Sequence, residues 1–130
     1  MTLQVELVSP ERILYSGEAD MVICRTLGGG DIAFLTGHAP FVAALAIHKV
    51  VITTTGGGEE QAGVYGGFVE VKDNRVTILS DHAEMADDID VQENLERKAE
   101  AERRMMEEDD VECEAQLRRA HVALELAGHL

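Results

Sequence analysis

Three stretches of the chain carry residues able to do chemistry. FLTGHAPFVAAL, Phe34 to Leu45, sets Gly37, His38 and Pro40 between two apolar runs. DHAEMADDID, Asp81 to Asp90, gathers His82, Glu84, Asp87, Asp88 and Asp90. Arg118 and Arg119 stand side by side in an otherwise acidic tail. A catalytic His38 needs an orienting carboxylate and a nucleophile or polarised water. The nearest carboxylate in sequence is Asp31, and the loop holds no serine or cysteine. A structural or partner-facing loop histidine accounts for His38 better. The acidic stretch lacks the DxDxDG spacing of a calcium loop, and His82 alone makes a poor zinc set. A linker ending at a helix N-terminus explains the same carboxylates through the helix dipole. LGGGD, Leu27 to Asp31, lacks the Lys-Ser/Thr of a phosphate loop and reads as an exposed turn. Arg118 and Arg119 are suited to gripping a phosphate or carboxylate, or to pairing with Glu114 and Glu125 about one turn away. Nothing assembles a nucleophile, a base and an oxyanion site, so no enzyme is expected. The rival readings are a small metal-dependent enzyme with a site built from His38, Asp81, His82 and Glu84, and an adaptor of an unrelated complex.

The elements that must position these residues fall into two halves. Both prolines, all five Phe and Tyr residues and eleven of the twelve glycines precede residue 85. From Asp87 onward the chain carries 14 acidic and 6 basic residues. In the first half LQVELVS alternates, with Leu3, Val5 and Leu7 on one face, the period of a half-buried strand. RILYSG, ADMVICRT, KVVITTT, GVYGGFVEV and RVTILSD follow, divided by Pro10, Gly17, GGGEE and Lys72 to Asn74. Short strands at this spacing predict an antiparallel β-sandwich or barrel. In the second half Val91, Leu95, Ala99 and Met106 share one helical face, and Cys113, Leu117, Ala120, Leu124 and Ala127 share another. EEDD, Glu107 to Asp110, joins them, with Asp110 as an N-cap. The fold class is therefore β plus α, with the sandwich over residues 1–86 and an antiparallel two-helix hairpin over 87–130. The Ala-rich seams bury little apolar area, which makes the hairpin a weakly held, movable part.

Composition limits the partners. A net charge of −14 argues against nucleic acid and against docking on anionic lipid by charge. Cys24 and Cys113 are far apart with no CxxC, as expected of reduced thiols in a cytosol-like compartment. The start MTLQVELVSP does not read as a signal peptide, and no apolar run reaches membrane-helix length. Work at a membrane would require another subunit as anchor.

Over essentially its whole length the chain resembles the epsilon subunit of the rotary F-type ATP synthase. GDIAFLTGHAPFVAAL resembles the family's glycine-acid-apolar run followed by Gly-His-Ala-Pro. YGGFVEV resembles its Gly-Gly-Phe-x-Glu-Val strand, and VTILSDHAEMADDID its junction before the helices. The resemblance implies a ten-stranded sandwich that clasps the gamma subunit and rests on the c ring. It implies a helical hairpin that lies on the sandwich or extends to the catalytic head, where it inhibits hydrolysis. The implied partners are the gamma subunit, the c ring and the catalytic beta subunit, at the cytoplasmic face of a bacterial membrane. Gly37, His38 and Pro40 are then stalk-facing, Gly30 and Asp31 ring-facing, and Arg118 and Arg119 head-contacting. Some members bind ATP through an Ile-Asp-x-x-Arg-Ala and an Arg-Ala-x-x-Arg element. Ile89, Asp90, Arg119 and Ala120 match, but Glu93 and Ala123 stand where arginines are expected and Asn94 replaces an alanine. ATP is therefore not expected as a ligand. The scarcity of basic residues in the last helix implies weak or differently driven inhibition. AIHKVV, Ala46 to Val51, stands where the family often has a Pro-Gly turn.

Overall fold

The computed structural model describes residues 2–108 and 110–128. Seven strands come first: β1 (Leu3–Val8), β2 (Ile13–Thr26), β3 (Gly30–Leu35), β4 (Phe41–Thr54), β5 (Glu59–Lys72), β6 (Arg75–Leu79) and β7 (Ala83–Met85). A 3-10 turn at Ala86–Asp88 leads into helices α1 (Val91–Glu107) and α2 (Val111–Leu126). Alternation does most of the strand specification. Leu3, Val5 and Leu7 are fully buried, while Gln4, Glu6 and Val8 remain partly exposed.

The strands pair in the order β1-β6-β5-β4-β2-β3, with β7 on β5 and a further β1–β2 ladder that closes the circuit. The expected ten strands are seven, because β2, β4 and β5 each run 14 residues without a break. Gly17, read as a divider, is an ordinary position inside β2. Each long strand serves both layers. Residues 13–19 of β2 pair with β1, and its later residues pair with β3 and β4. Buried positions switch parity along β4, from Leu45 to Val50 and Ile52, and along β5, from Ala62 and Val64 to Val69 and Val71. A period-2 pattern that changes phase without a register shift marks a strand turning the corner between layers. Counting each half separately gives five strands per layer. One ladder also departs from the expected antiparallel pattern, since β1 lies parallel to β6.

AIHKVV forms no turn. It runs through the middle of β4, in unbroken register with β5. Opposite β2 the register slips between Ile23/Val51 and Thr26/Leu45, leaving residues 46–50 as a bulge. By contrast, the turn at Asp73 and Asn74 is as expected: both take positive φ, 51° and 59°, the two-residue hairpin geometry.

The hairpin folds down on the sandwich. Asp110 caps α2, accepting from the Cys113 N–H at 2.8 Å, and Asp90 caps α1, accepting from the Glu93 N–H at 3.0 Å. Asp109 of the expected EEDD connection lies outside the described residues. α2 is buried on two sides: Cys113, Ala120 and Leu124 on one, Val122 and Ala123 on the other. The second side meets Tyr65, Ile47 and Ile89. The face expected for α1 is rotated. Asn94 and Ala101 are its buried residues, and Met106 is 89% exposed. A buried asparagine is invisible to a search for apolar period. Its amide donates to the Asp90 carbonyl at 2.8 Å, which satisfies it at the helix start.

Candidate functional site

β3 holds the two glycine loops apart. Gly30 and Asp31 begin it, while Gly37, His38 and Pro40 follow its other end. Six residues at ~3.3 Å each keep the loops ~17–20 Å apart, so they form two sites and not one. Asp31 is paired across the ladder with Arg25, Oδ1 to Nε at 2.9 Å, and the guanidinium's hydrogen bond holds the carboxyl below its ordinary pKa. In the second loop the Gly37 N–H donates to Asn74 Oδ1 at 2.7 Å, tying the loop to the β5–β6 turn. The His38 ring packs edge-on to Phe34 at 5.0 Å and to Phe41 at 6.1 Å. Its Nδ1 lies 2.7 Å from the Ala39 carbonyl. His38 is thus part of an aromatic cluster that stiffens the loop, and no carboxylate orients it.

Between the loops, on the outer face, runs a feature the sequence reading missed. Ala44 pairs with Phe68 and Phe68 with Leu79, so three apolar side chains stand abreast across β4, β5 and β6. Leu27 extends the row, its N–H donating to the Ala44 carbonyl at 3.0 Å. Val42, two residues before Ala44, adds a fifth member. Leu27, Val42, Phe68 and Leu79 are 66, 67, 58 and 49% exposed, although each sits in a well-formed element or turn. Adjoining exposed apolar groups of this kind mark an interaction surface. The signal was present in YGGFVEV: Phe68 lies in the same alternation phase as Glu70 and Lys72, opposite the buried Val69 and Val71.

The hairpin seam accounts for both arginines. Arg118 Nε donates to the Ile47 carbonyl at 3.2 Å. Arg119 lies over the Tyr65 ring, 4.7 Å from its centroid, and the Tyr65 hydroxyl donates to Glu84 at 3.0 Å. Neither arginine makes the expected pairing with Glu114 or Glu125. Burial, then the Glu84 carboxylate, raises the Tyr65 pKa, and burial lowers that of Arg119. The four residues of the residual nucleotide motif all have structural contacts. Ile89 packs in the seam, Asp90 caps α1, Arg119 stacks on Tyr65, and Ala120 is fully buried. Glu93 is paired with Arg97 at 2.5 Å. Ala123, where the family places an arginine, is fully buried against the sandwich.

The metal reading does not survive the geometry. Glu84 is held by Tyr65, and His38 packs on two phenylalanines. Asp81 and His82 instead line a groove with Ser9, Pro10 and Glu11. Among the described residues no group of three or more His, Cys, Asp or Glu is placed to hold a metal ion. Both cysteines are free and buried. No helix among the described residues is long and apolar enough to cross a membrane.

Residues 2–86 match the family model for the ATP synthase delta/epsilon chain, beta-sandwich domain. The ATP synthase epsilon chain of Streptomyces griseus is 42% identical over 94% of this chain and 92% of its own. That of Thermobifida fusca is 42% identical over 96% and 91%, and that of Brevibacillus brevis 44% identical over 81% and 79%. Among solved structures, a chain of the Euglena gracilis mitochondrial ATP synthase, OSCP/F1/c-ring, shares the fold with a TM-score of 0.71 at 24% identity. The alignment covers 98% of this chain and 78% of that one. A chain from the Tetrahymena thermophila mitochondrial ATP synthase central stalk and c ring aligns with a TM-score of 0.53 at 17% identity, over 68% and 70%. A sandwich closed by β1, an outer apolar row and a docked C-terminal hairpin, together with these likenesses, establish that the chain belongs to the delta/epsilon family of ATP synthase subunits.

Proposed function

We propose that this protein is a non-catalytic central-stalk subunit of a proton-translocating F-type ATP synthase, joining the gamma subunit to the c ring. The sandwich, residues 1–86, is the coupling part, and residues 87–130 are the regulatory hairpin. The observation that carries this reading is the exposed row Leu27, Val42, Ala44, Phe68 and Leu79 on a family member with no assembled catalytic group. Burying such a row against the gamma subunit would supply the hydrophobic part of a stable interface. Gly37, His38 and Pro40 border its Val42 side, and Gly30 and Asp31 its Leu27 side. The loop of Gly37, His38 and Pro40 then faces gamma and that of Gly30 and Asp31 the c ring. Pro40 and the His38 stack restrict the gamma-facing loop, so little entropy is lost on docking. When the hairpin lifts, Arg118 and Arg119 become available to the acidic surface of the catalytic beta subunit. With only these two Lys or Arg residues in the last helix of a strongly acidic hairpin, inhibition of hydrolysis is weak. ATP is not a ligand, because Glu93 would repel its phosphates and Ala123 offers them no cation. The subunit acts as a peripheral protein at the cytoplasmic face of the bacterial membrane, held there by its partners.

Size-exclusion co-elution with an alpha-beta-gamma head stripped of its own epsilon tests the reading. Stoichiometric co-elution that requires gamma, and its loss in Phe68→Asp with the fold intact, are expected. Absence of co-elution with a head from a close relative, or undiminished co-elution of Phe68→Asp, would overturn the assignment of this face.

A further inference from the structure

His48 occupies an unusual position. It lies in the β4 bulge, beneath the last turns of α2, where it lines a crevice of about 10 Å3 with Lys49, Val122, Glu125 and Leu126. Its Nδ1 is buried and has no hydrogen-bond partner. A crevice of that size is at the lower bound of the ~10–15 Å3 that a bridging water needs, together with two or more polar partners. The neutral ring tolerates this, with Nδ1 carrying a bare lone pair. Protonation would put a charged N–H donor in the same spot, where an unsatisfied group is far more costly.

The surrounding charges act in the same direction. β2 contributes Arg25, β4 Lys49 and α2 Arg118, all repelling an imidazolium. β3 contributes Asp31, which attracts it but is already engaged by Arg25, and α2 contributes Glu125 at the mouth of the crevice. β5 places Val64 opposite and adds no charge. Burial, then Arg25, Arg118 and Lys49, lower the His48 pKa against the opposing pull of Asp31.

We propose that His48 is a proton-operated release for the C-terminal hairpin: docked α2 requires the neutral imidazole, and acidification favours the undocked state. The sign follows from linkage. A base with a lowered pKa in the docked state leaves docking unaffected above the free imidazole's ordinary value. Docking then weakens as pH falls below that value, down to the docked pKa. Arg25, Lys49 and Asp31 stay beside the ring in either state, so the linkage comes from what α2 brings, its burial of the ring and Arg118. Between about pH 7.5 and about pH 5.5 it raises the opening equilibrium by at most roughly tenfold, the limit for one imidazole kept wholly neutral when docked.

The switch is a property of the isolated chain and stands or falls independently of the stalk assignment. Hydrogen exchange of α2 amides on the full chain, corrected for the intrinsic pH dependence, reads the opening equilibrium. The expected result is a rise of several-fold, and at most roughly tenfold, in the wild type, no rise in His48→Gln, and a retained rise in His121→Gln on the exposed side of α2. Amides of β5 serve as the control for global unfolding. A pH-independent wild type, or a His48→Gln chain that keeps the response, overturns the proposal. Should His48→Gln fail to fold, NMR titration of His48 in the wild-type chain decides: a midpoint at or above the ordinary imidazole value, or a lowered one with no matching rise in α2 exchange, refutes the switch, and a lowered midpoint matched by that rise upholds it.

Discussion

Gly67 is the position where one added methyl group has the most to disturb. It sits in β5 at φ 123°, beside Gly66 at φ 93°, where the strand turns between layers. A Cβ at Gly67 would lie 2.2 Å from the Leu79 carbonyl oxygen and 3.0 Å from the Ser80 Cα, both backbone atoms with no rotamer to relieve the overlap. A Cβ at Gly66 meets nothing within 4 Å. Gly66→Ala therefore costs only the positive-φ conformation, ~1–2 kcal/mol. Gly67→Ala adds backbone displacement, for which ~1–3 kcal/mol is the usual scale of overpacking. At ~3–5 °C per kcal/mol for a chain of this size, Gly67→Ala should melt roughly 5–10 °C below Gly66→Ala. Differential scanning calorimetry of the two variants beside the wild type measures this directly. Equal melting temperatures would refute the corner geometry, because both glycines take positive φ and only Gly67 would bring a Cβ against the Leu79 and Ser80 backbone.

The remaining expectations concern the hairpin and the core. Arg119→Ala removes a cation–π contact worth ~0.5–2 kcal/mol, so α2 amides should exchange several-fold faster while the sandwich stays protected. Asp110→Ala removes the α2 cap and should cost ~1 kcal/mol, seen as faster exchange confined to the first turn of α2. Millimolar ATP should leave the melting temperature unchanged, and a rise of several degrees would show that Glu93 and Ala123 do not prevent binding. Burial, helped by Asp31, pushes the Cys24 thiol up to about 12, so it should resist alkylation at about pH 8 until the chain unfolds.

Local rules made the sandwich strands legible. Leu3, Val5 and Leu7 alternate cleanly, Asp73 and Asn74 suit a tight hairpin, and Asp110 is a strong cap. Corners are less legible, because β2, β4 and β5 change which phase is buried while remaining hydrogen-bonded. A period-2 reading then breaks them into separate strands. The bulge at residues 46–50 has no proline or glycine to announce it. Its signature, a histidine and a lysine inside an apolar run, also fits a turn. Phe68 was overlooked for a related reason: an apolar residue in a strand is assumed to point inward, and only the phase of its neighbours shows otherwise. Asn94 escaped notice because a polar side chain, bonded to its own helix start, occupies a position where periodicity looks for an apolar one.

The parallel ladder between β1 and β6 bears on how the chain acquires its fold. It joins segments roughly seventy residues apart, and without it the strand circuit stays open. Local hairpins such as β5–β6 form early, but the closing ladder must wait for nearly the whole sandwich sequence and then bear its large loop entropy. Folding of the sandwich should therefore be slow and all-or-none, with Val5 and Ile78 joining late. The helices nucleate locally and need only a finished surface on which to settle. A newly made chain thus has its closed sandwich before its hairpin finds a seat.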